Sequence, residues 1–168
     1  CRCVSGFDCL CGRERAYDIR LSQVGPRLCI RDRDGPAQQA AELADPLVTT
    51  FLARLVGELI AYAQVRQNPP PACVTHADPI ELHRFYVDSR AHGAGMAPRL
   101  MDEVHRAARE FQGRHIWLSV WDQNPRGIAF YKKTMFVDVG STFYMVGPDK
   151  QIDRVVGSAV VPLPPDLD

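Results

Sequence analysis

The feature that most constrains the fold is a strand, a glycine-containing turn, a helix and a second strand in direct succession. Residues 80–88 read as a strand and residues 90–95 (Arg-Ala-His-Gly-Ala-Gly) as the turn. Residues 96–111 place apolar side chains every three or four positions, which is typical of an amphipathic helix. Residues 115–121 are again rich in β-branched and aromatic side chains. Because a helix between two strands of one sheet makes those strands parallel, the segment predicts a βαβ unit.

The limits of this crossover helix are marked by two residues. Pro98 falls in the first turn, where its missing N–H costs little. Gly113 is expected to end the helix as the left-handed residue that follows it.

Antiparallel strands and a second helix are expected on either side of the βαβ unit. Residues 48–56 and 59–66 predict a β-hairpin. Asn124 and Pro125 combine an N-cap residue with proline at the first helical position. The remaining predicted elements are a short helix at 36–44, a helix at 125–134 and closing strands at 136–140 and 142–146. The expected fold class is therefore α/β (α+β), with a mixed, mostly antiparallel sheet, one parallel strand pair and flanking helices.

Composition limits the kinds of partner. The 168 residues suit one domain, and 20 basic side chains balance 20 acidic ones. That balance removes the bulk electrostatic argument for a nucleic-acid-binding or membrane-associated protein. Since no apolar run approaches the ~20 residues of a membrane span and no signal-peptide core is present, a reducing, cytoplasmic location is expected.

The N-terminal segment has an unusual cysteine content. Cys1, Cys3, Cys9 and Cys11 form two Cys-x-Cys pairs whose thiolates are an alternative zinc site, but their spacing matches the usual zinc pattern poorly, so no metal is expected. The expected organisation is an irregular segment at 1–35, a domain at 36–157 and a disordered tail at 158–168.

The glycine turn has the properties of an anion site. The first N–H groups of a helix lack intrahelical partners, and the helix dipole is positive there. Glycine also lets a phosphate approach the backbone. A dinucleotide fingerprint would need a third glycine where Pro98 stands, and a P-loop lysine is missing because the first lysine is Lys132. A purely structural role for the glycines remains open.

Two segments together resemble the GNAT acyltransferases. Arg90, Gly93 and Gly95 fit the R/Q-x-x-G-x-G/A pattern of that family, and residues 117–131 resemble its second cofactor-binding segment. The resemblance implies transfer of an acetyl group from acetyl-CoA to an amine. Residues 143–153 are similar to the corresponding part of spermidine acetyltransferases, which suggests a small-molecule amine such as a polyamine as acceptor.

The resemblance also implies a set of cofactor-binding residues. The two parallel strands would splay around the pantetheine arm, backbone N–H groups of the turn would hold the pyrophosphate, and Tyr131 would protonate the departing thiolate. The cofactor-binding residues so implied are Phe85, Tyr86, Val87, Arg90, His92, Gly93, Ala94, Gly95, Met96, Asn124, Ala129 and Tyr131.

A general base is harder to assign from sequence. Glu81 precedes Val87 by six residues, where several family members place a catalytic glutamate. Strand alternation is expected to put Glu81 on one face with His83, Phe85 and Val87. A solvated surface role for Glu81 is the alternative reading, and His83 and His92 are alternative bases.

Two departures from the family pattern affect these expectations. Met135 stands where the family has glycine, in a conformation that methionine adopts only at a cost. Residues 1–35 do not resemble the helices that form the family's acceptor pocket. A CoA-binding module with weak or no catalysis is therefore the alternative function, and either a monomer or a homodimer is compatible with the sequence.

Overall fold

The fold is a six-stranded sheet with two helices on one face, described by a computed structural model over residues 41–56, 58–146 and 149–162. The strand order is β1-β2-β3-β4-β6-β5, and only β3 and β4 are parallel. The strands are β1 (Val48–Leu55), β2 (Glu58–Arg66), β3 (Pro79–Val87), β4 (His115–Trp121), β5 (Val137–Val146) and β6 (Asp149–Ala159). The helices are α1 (Met96–Glu110) and α2 (Pro125–Lys133). The predicted fold class and the βαβ unit are confirmed.

The main core lies between the sheet and α1. Leu100 and Val104 of α1 are fully buried and share one cluster with Ile80 and Leu82 of β3 and Ile116 of β4. We call the face of the sheet that carries α1 and α2 the helix face. A smaller cluster of Trp117, Val74 and Val155 lies on the other side, which we call the second face.

The closing strands differ from the prediction. Residues 136–140 and 142–146 were expected to be a pair, but one strand, β5, runs through both segments. The break suggested by Gly140 is a bulge, where the register shifts between Asp138 and Gly140. The partner strand is β6, which pairs with both β4 and β5. The first half of β6 is mostly charged or polar, so the sequence there lacks the apolar pattern that predicts a strand.

Some predicted elements lie partly or wholly outside the described residues. Residues 41–44 are helical, but the first part of the predicted helix at 36–44 and all four N-terminal cysteines lie outside the described residues. So does most of the predicted tail at 158–168. Strand β6 extends to Ala159, two residues beyond the predicted domain limit at 157.

Gln112, rather than Gly113, is the left-handed residue at the end of α1, so the prediction for Gly113 is wrong. Gln112 has φ 57° and donates its N–H to the Arg109 carbonyl, while Gly113 donates to Ala108. These two bonds form a Schellman motif. Gly113 is required for a different reason, since a Cβ there would lie 2.2 Å from Ile80 Cγ1.

Met135 closes α2 in the conformation that the sequence predicted. Its φ is 69°, its N–H donates to Lys132, and Phe136 donates to Tyr131, which is again a Schellman motif. The side chain is 77% exposed, so it offers little packing to offset the strain. We expect Met135→Gly to raise the free energy of unfolding by about 0.5–1 kcal/mol, because glycine adopts this φ without a Cβ clash. Urea titration measures the change, and an unchanged or lower midpoint would contradict it.

A buried histidine attaches the C-terminal end of the described chain to α1. His105 is 6% exposed, and its Nδ1 accepts the Val161 N–H at 3.2 Å. Burial, together with the charge of Arg109, lowers the pKa of His105 below its ordinary value of 6.5. The neutral ring is therefore the folded form.

This histidine predicts a pH-dependent stability. The unfolded state binds a proton on His105 at a higher pH than the folded state does, so stability is lost as pH falls below about 6.5. His115, whose pKa burial also lowers, acts in the same direction. His105→Gln keeps a hydrogen-bond acceptor but does not titrate, so its stability should fall less than the wild type's between pH 7 and 5 in urea titrations. If the stabilities of the wild type and His105→Gln fell equally between pH 7 and 5, His105 would not be the group responsible.

Candidate functional site

Strands β3 and β4 separate part-way along their length. Their ladder joins Pro79 to His115, Ile80 to Ile116 and Glu81 to Trp117, and it ends there. Beyond this point β3 pairs only with β2, and β4 only with β6. The predicted splayed pair is thus present. It leaves one edge of each strand with backbone groups open to a bound ligand.

The glycine turn lies beyond the end of β3, directly before α1. Gly93 and Gly95 have φ 79° and 77°, and an added Cβ at either would meet no atom within 4 Å. Positive φ, rather than crowding, is therefore what requires glycine. The space in front of the backbone is open, as an approaching phosphate would need.

The free N–H groups of the turn are fewer than predicted. Hydrogen bonds within the described chain engage the N–H groups of Arg90, Ala91, His92 and Ala94, which donate to Asp88 or to carbonyls of the turn. Gly93, Gly95 and Met96 have no such bond. These three donors, at the positive end of α1, are therefore the ones left to meet an anion.

The polar side chains of the turn are engaged locally. The Arg90 guanidinium contacts Asp88 at 3.1 Å and Glu58 at 2.8 Å. Hydrogen bonds from Arg90 lower the pKa of Asp88. His92 Nε2 lies 3.0 Å from the carbonyl oxygen of Val87, one of the backbone groups expected to contact pantetheine. A ligand donor that reaches this oxygen would therefore share it with His92 or replace the His92 contact.

Asn124 fixes the start of α2. Its Oδ1 accepts the Gly127 N–H at 2.9 Å, and a Cβ on Gly127 would approach Asn124 Nδ2 to 2.7 Å. The cap uses the carbonyl end of the side chain and leaves the Nδ2 donor for a ligand. Ala129, on the same helix, is exposed.

Tyr131 packs in a cluster of aromatic rings on the helix face. Its ring centroid lies 5.5 Å from Phe130, 5.7 Å from Phe136 and 6.3 Å from Phe85. Burial raises the pKa of the Tyr131 phenol above its ordinary value of 10.0. The hydroxyl therefore keeps its proton at neutral pH and can donate it.

A bulge changes the faces of β3. Val65 pairs with Leu82 and Gln64 with Arg84, which leaves His83 as the extra residue. Phe85 and Val87 consequently pack on the helix face with Ile80 and Leu82. The expectation that Glu81 shares a face with Phe85 and Val87 is wrong, because the bulge reverses the alternation.

Glu81 is a buried, fully engaged carboxylate on the second face. It is 7% exposed, and it accepts from Arg66 Nε at 2.6 Å and from Asn68 Nδ2 at 2.8 Å. His83 Nδ1 lies 3.4 Å from its other oxygen. Burial alone would raise the pKa of Glu81, but hydrogen bonds from His83 and Arg66 and the Arg66 charge outweigh it and lower the pKa to about 2.

Sequence reasoning missed Arg66 and Asn68. Arg66 lies directly opposite Glu81 across β2 and β3, and Asn68 follows β2 in the next loop. Only the strand register brings them to Glu81. Arg84, two pairs further along the same face, binds Glu42 and Gln64. Glu42 belongs to the helical residues 41–44, so the segment before β1 contacts this face.

Neither a metal site nor a membrane-spanning helix is present among the described residues. They contain no group of three or more His, Cys, Asp or Glu side chains placed to hold a metal ion. Among them, no helix has both the length and the apolar character needed to cross a membrane.

Known proteins are similar to this chain in sequence. The family model "Acetyltransferase (GNAT) family" matches residues 16–135 and so begins before the predicted domain limit at 36. An uncharacterized N-acetyltransferase of Mycobacterium tuberculosis is 29% identical over 120 residues, which cover 71% of this chain and 72% of that protein.

Two solved structures have a similar fold. An aminoglycoside 6′-N-acetyltransferase complexed with coenzyme A superimposes with a TM-score of 0.60 at 18% identity, over 76% of this chain and 81% of its own. Nourseothricin acetyltransferase superimposes with a TM-score of 0.59 at 21% identity, over 69% of this chain and 67% of that protein.

Proposed function

The chain belongs to the acetyltransferase (GNAT) family and is an acetyl-CoA-dependent N-acetyltransferase, and we propose that its acceptor is a primary amine of a small molecule such as a polyamine. The observation that carries the acetyl-transfer reaction is an opening that fits acetyl-CoA. The sheet opens between β3 and β4, with three free N–H donors at one end and a protonated tyrosine beside the opening. A ligand that is anionic at one end and reactive at the other fits this arrangement.

The residues of this chain suit coenzyme A. Gly93, Gly95 and Met96 would bind the pyrophosphate through N–H groups, and the open edges of β3 and β4 would hydrogen-bond the pantetheine amides, with Asn124 adding its Nδ2 donor. Acetyl-CoA, when bound, supplies the activated acetyl group. Tyr131 would give its phenolic proton to the leaving sulfur. A thiolate beside the buried Tyr131 would also be destabilised by burial, so it could accept a proton from a phenol of raised pKa.

The charges at the end of β4 favour a cationic acceptor. Asp153 lies opposite Trp121 across β4 and β6, and burial, together with the charge of Asp122, raises the pKa of Asp153. Because two neighbouring carboxylates repel each other, an ammonium group placed between them is stabilised. The arginines of the second face do not cancel this effect, since Arg66 and Arg84 are bonded to Glu81 and Glu42.

An acceptor panel tests the proposal. Purified protein with acetyl-CoA is offered a polyamine, a monoamine of similar length and a short peptide, and thiol release is followed. We expect the polyamine to give the highest kcat/KM. A preference for the peptide would contradict the small-molecule assignment, and release without any acceptor preference would contradict an amine acceptor bound by these carboxylates.

A further inference from the structure

We propose that His83 is the general base that deprotonates the acceptor amine, and that Glu81 is a positioning residue that holds the His83 ring. The inference rests on the proposed function, since it assigns a role within the same reaction. It departs from the sequence prediction, which placed the base at Glu81.

Glu81 is poorly suited to accept a proton. Both of its oxygens are engaged by Arg66, at 2.6 and 3.2 Å, and one also accepts from Asn68. A carboxylate held by a guanidinium is stabilised in its charged form, and proton transfer to it would leave the Arg66 charge without its partner. The same contacts give Glu81 a fixed position, which is what a positioning residue needs.

His83 has the geometry that Glu81 lacks. Its Nδ1 lies 3.4 Å from Glu81 Oε1, a distance that can shorten when substrate binds. A proton on Nδ1 directed at the carboxylate leaves the lone pair on Nε2. The side chain is 24% exposed, so a ligand can reach it.

His83 lies where the sheet opens. The β3–β4 ladder ends at Glu81 and Trp117, and His83 and Ser119 stand two residues beyond that pair, one on each strand. Ser119 Oγ is buried and has no hydrogen-bond partner among the described residues. A buried hydroxyl without a partner is costly unless something binds it, so this part of the gap is suited to a polar ligand such as an amine.

His83 and Tyr131 together account for every proton that moves during the acetyl transfer. His83 Nε2 takes one proton from the ammonium group, and the freed lone pair of nitrogen forms the C–N bond as the C–S bond breaks. The sulfur receives the Tyr131 proton. The second nitrogen proton returns to the Tyr131 oxygen through water, and His83 releases its proton to solvent, so the reaction yields amide, thiol and one proton.

The charged groups around His83 favour this role. Glu81 is negative, and Arg66 on β2 is bonded to it rather than to the imidazole. Arg84, the next residue, is bonded to Glu42 and Gln64. From β4 come Ser119 and Trp117, which carry no charge. The imidazolium that forms during the reaction would therefore lie beside Glu81 Oε1, an oxygen that His83 shares with Arg66.

The test compares His83→Gln, Glu81→Gln and a matched control, His76→Gln. His76 stacks on His115 at 4.0 Å, away from the opening, so its variant should keep full activity. We expect His83→Gln to lower kcat by about 10²–10³-fold at pH 7. The defect should shrink as pH rises and the acceptor becomes neutral without a base. Glu81→Gln should show a smaller loss with the same pH trend, since it acts through His83.

Two further measurements distinguish loss of a base from loss of the fold. Coenzyme A should protect His83→Gln against heat as it does the wild type, which shows that the variant is folded. Added imidazole should restore part of the activity of His83→Ala. Full activity in His83→Gln, or a loss that is equal at all pH values and is not rescued by imidazole, would overturn this inference alone. Absence of turnover in the wild type would instead contradict the proposed function.

Discussion

Replacing Tyr131 with phenylalanine is expected to lower kcat by about 10²–10⁴-fold while leaving the affinity for coenzyme A unchanged. The reason is that phenylalanine keeps the ring between Phe85, Phe130 and Phe136 and removes only the proton donor. Steady-state kinetics measure kcat, and the thermal shift caused by coenzyme A reports binding.

A second tyrosine provides the control for this variant. Tyr62 on β2 packs against Tyr86, with ring centroids 5.7 Å apart, and has no role in the proposed chemistry. Tyr62→Phe should therefore leave kcat unchanged. Full activity in Tyr131→Phe would assign the proton transfer to water or to another group, and a loss of coenzyme A binding would give Tyr131 a binding role instead.

Gly95→Glu is expected to abolish thermal protection by coenzyme A. The side chain would enter the open space at the turn, and its charge would repel the pyrophosphate that the N–H groups of Gly93, Gly95 and Met96 are proposed to bind. Ligand binding to the native state alone raises apparent stability, so its loss is read directly from a melting curve.

Gly95→Gln separates charge from strain in this experiment. Glutamine matches glutamate in size and imposes the same cost at φ 77°, but it adds no charge. We expect it to weaken protection without abolishing it. Equal losses in both variants would show that backbone conformation, rather than repulsion of a phosphate, governs the effect, and protection retained in Gly95→Glu would remove the pyrophosphate from this turn.

Local patterns in the sequence predicted most of the fold. The hairpin, the βαβ unit and α2 each depend on side chains close in sequence, and Met135 showed its left-handed conformation by standing in a glycine position. Strand β6 was missed because its burial comes from neighbours on β4 and β5, which local periodicity does not report.

The candidate site was only partly predictable for the same reason. The turn glycines and Tyr131 lie in contiguous motifs, whereas the surroundings of Glu81 depend on pairing between strands. One extra residue at His83 reverses the faces of β3, and the register then brings Arg66 to Glu81. No pattern within residues 80–88 indicates that bulge. The sequence therefore identified Glu81 as notable but could not indicate its partners.

The central claim is that this chain transfers an acetyl group to an amine, and the most direct measurement is a product balance. Purified protein is incubated with acetyl-CoA and a polyamine, and free thiol and acetylated amine are quantified over time. We predict that thiol appears only when the amine is present and that each thiol is matched by one N-acetylated product. Thermal protection by coenzyme A without acceptor-dependent thiol release, or thiol release without acetylated amine, would contradict the account.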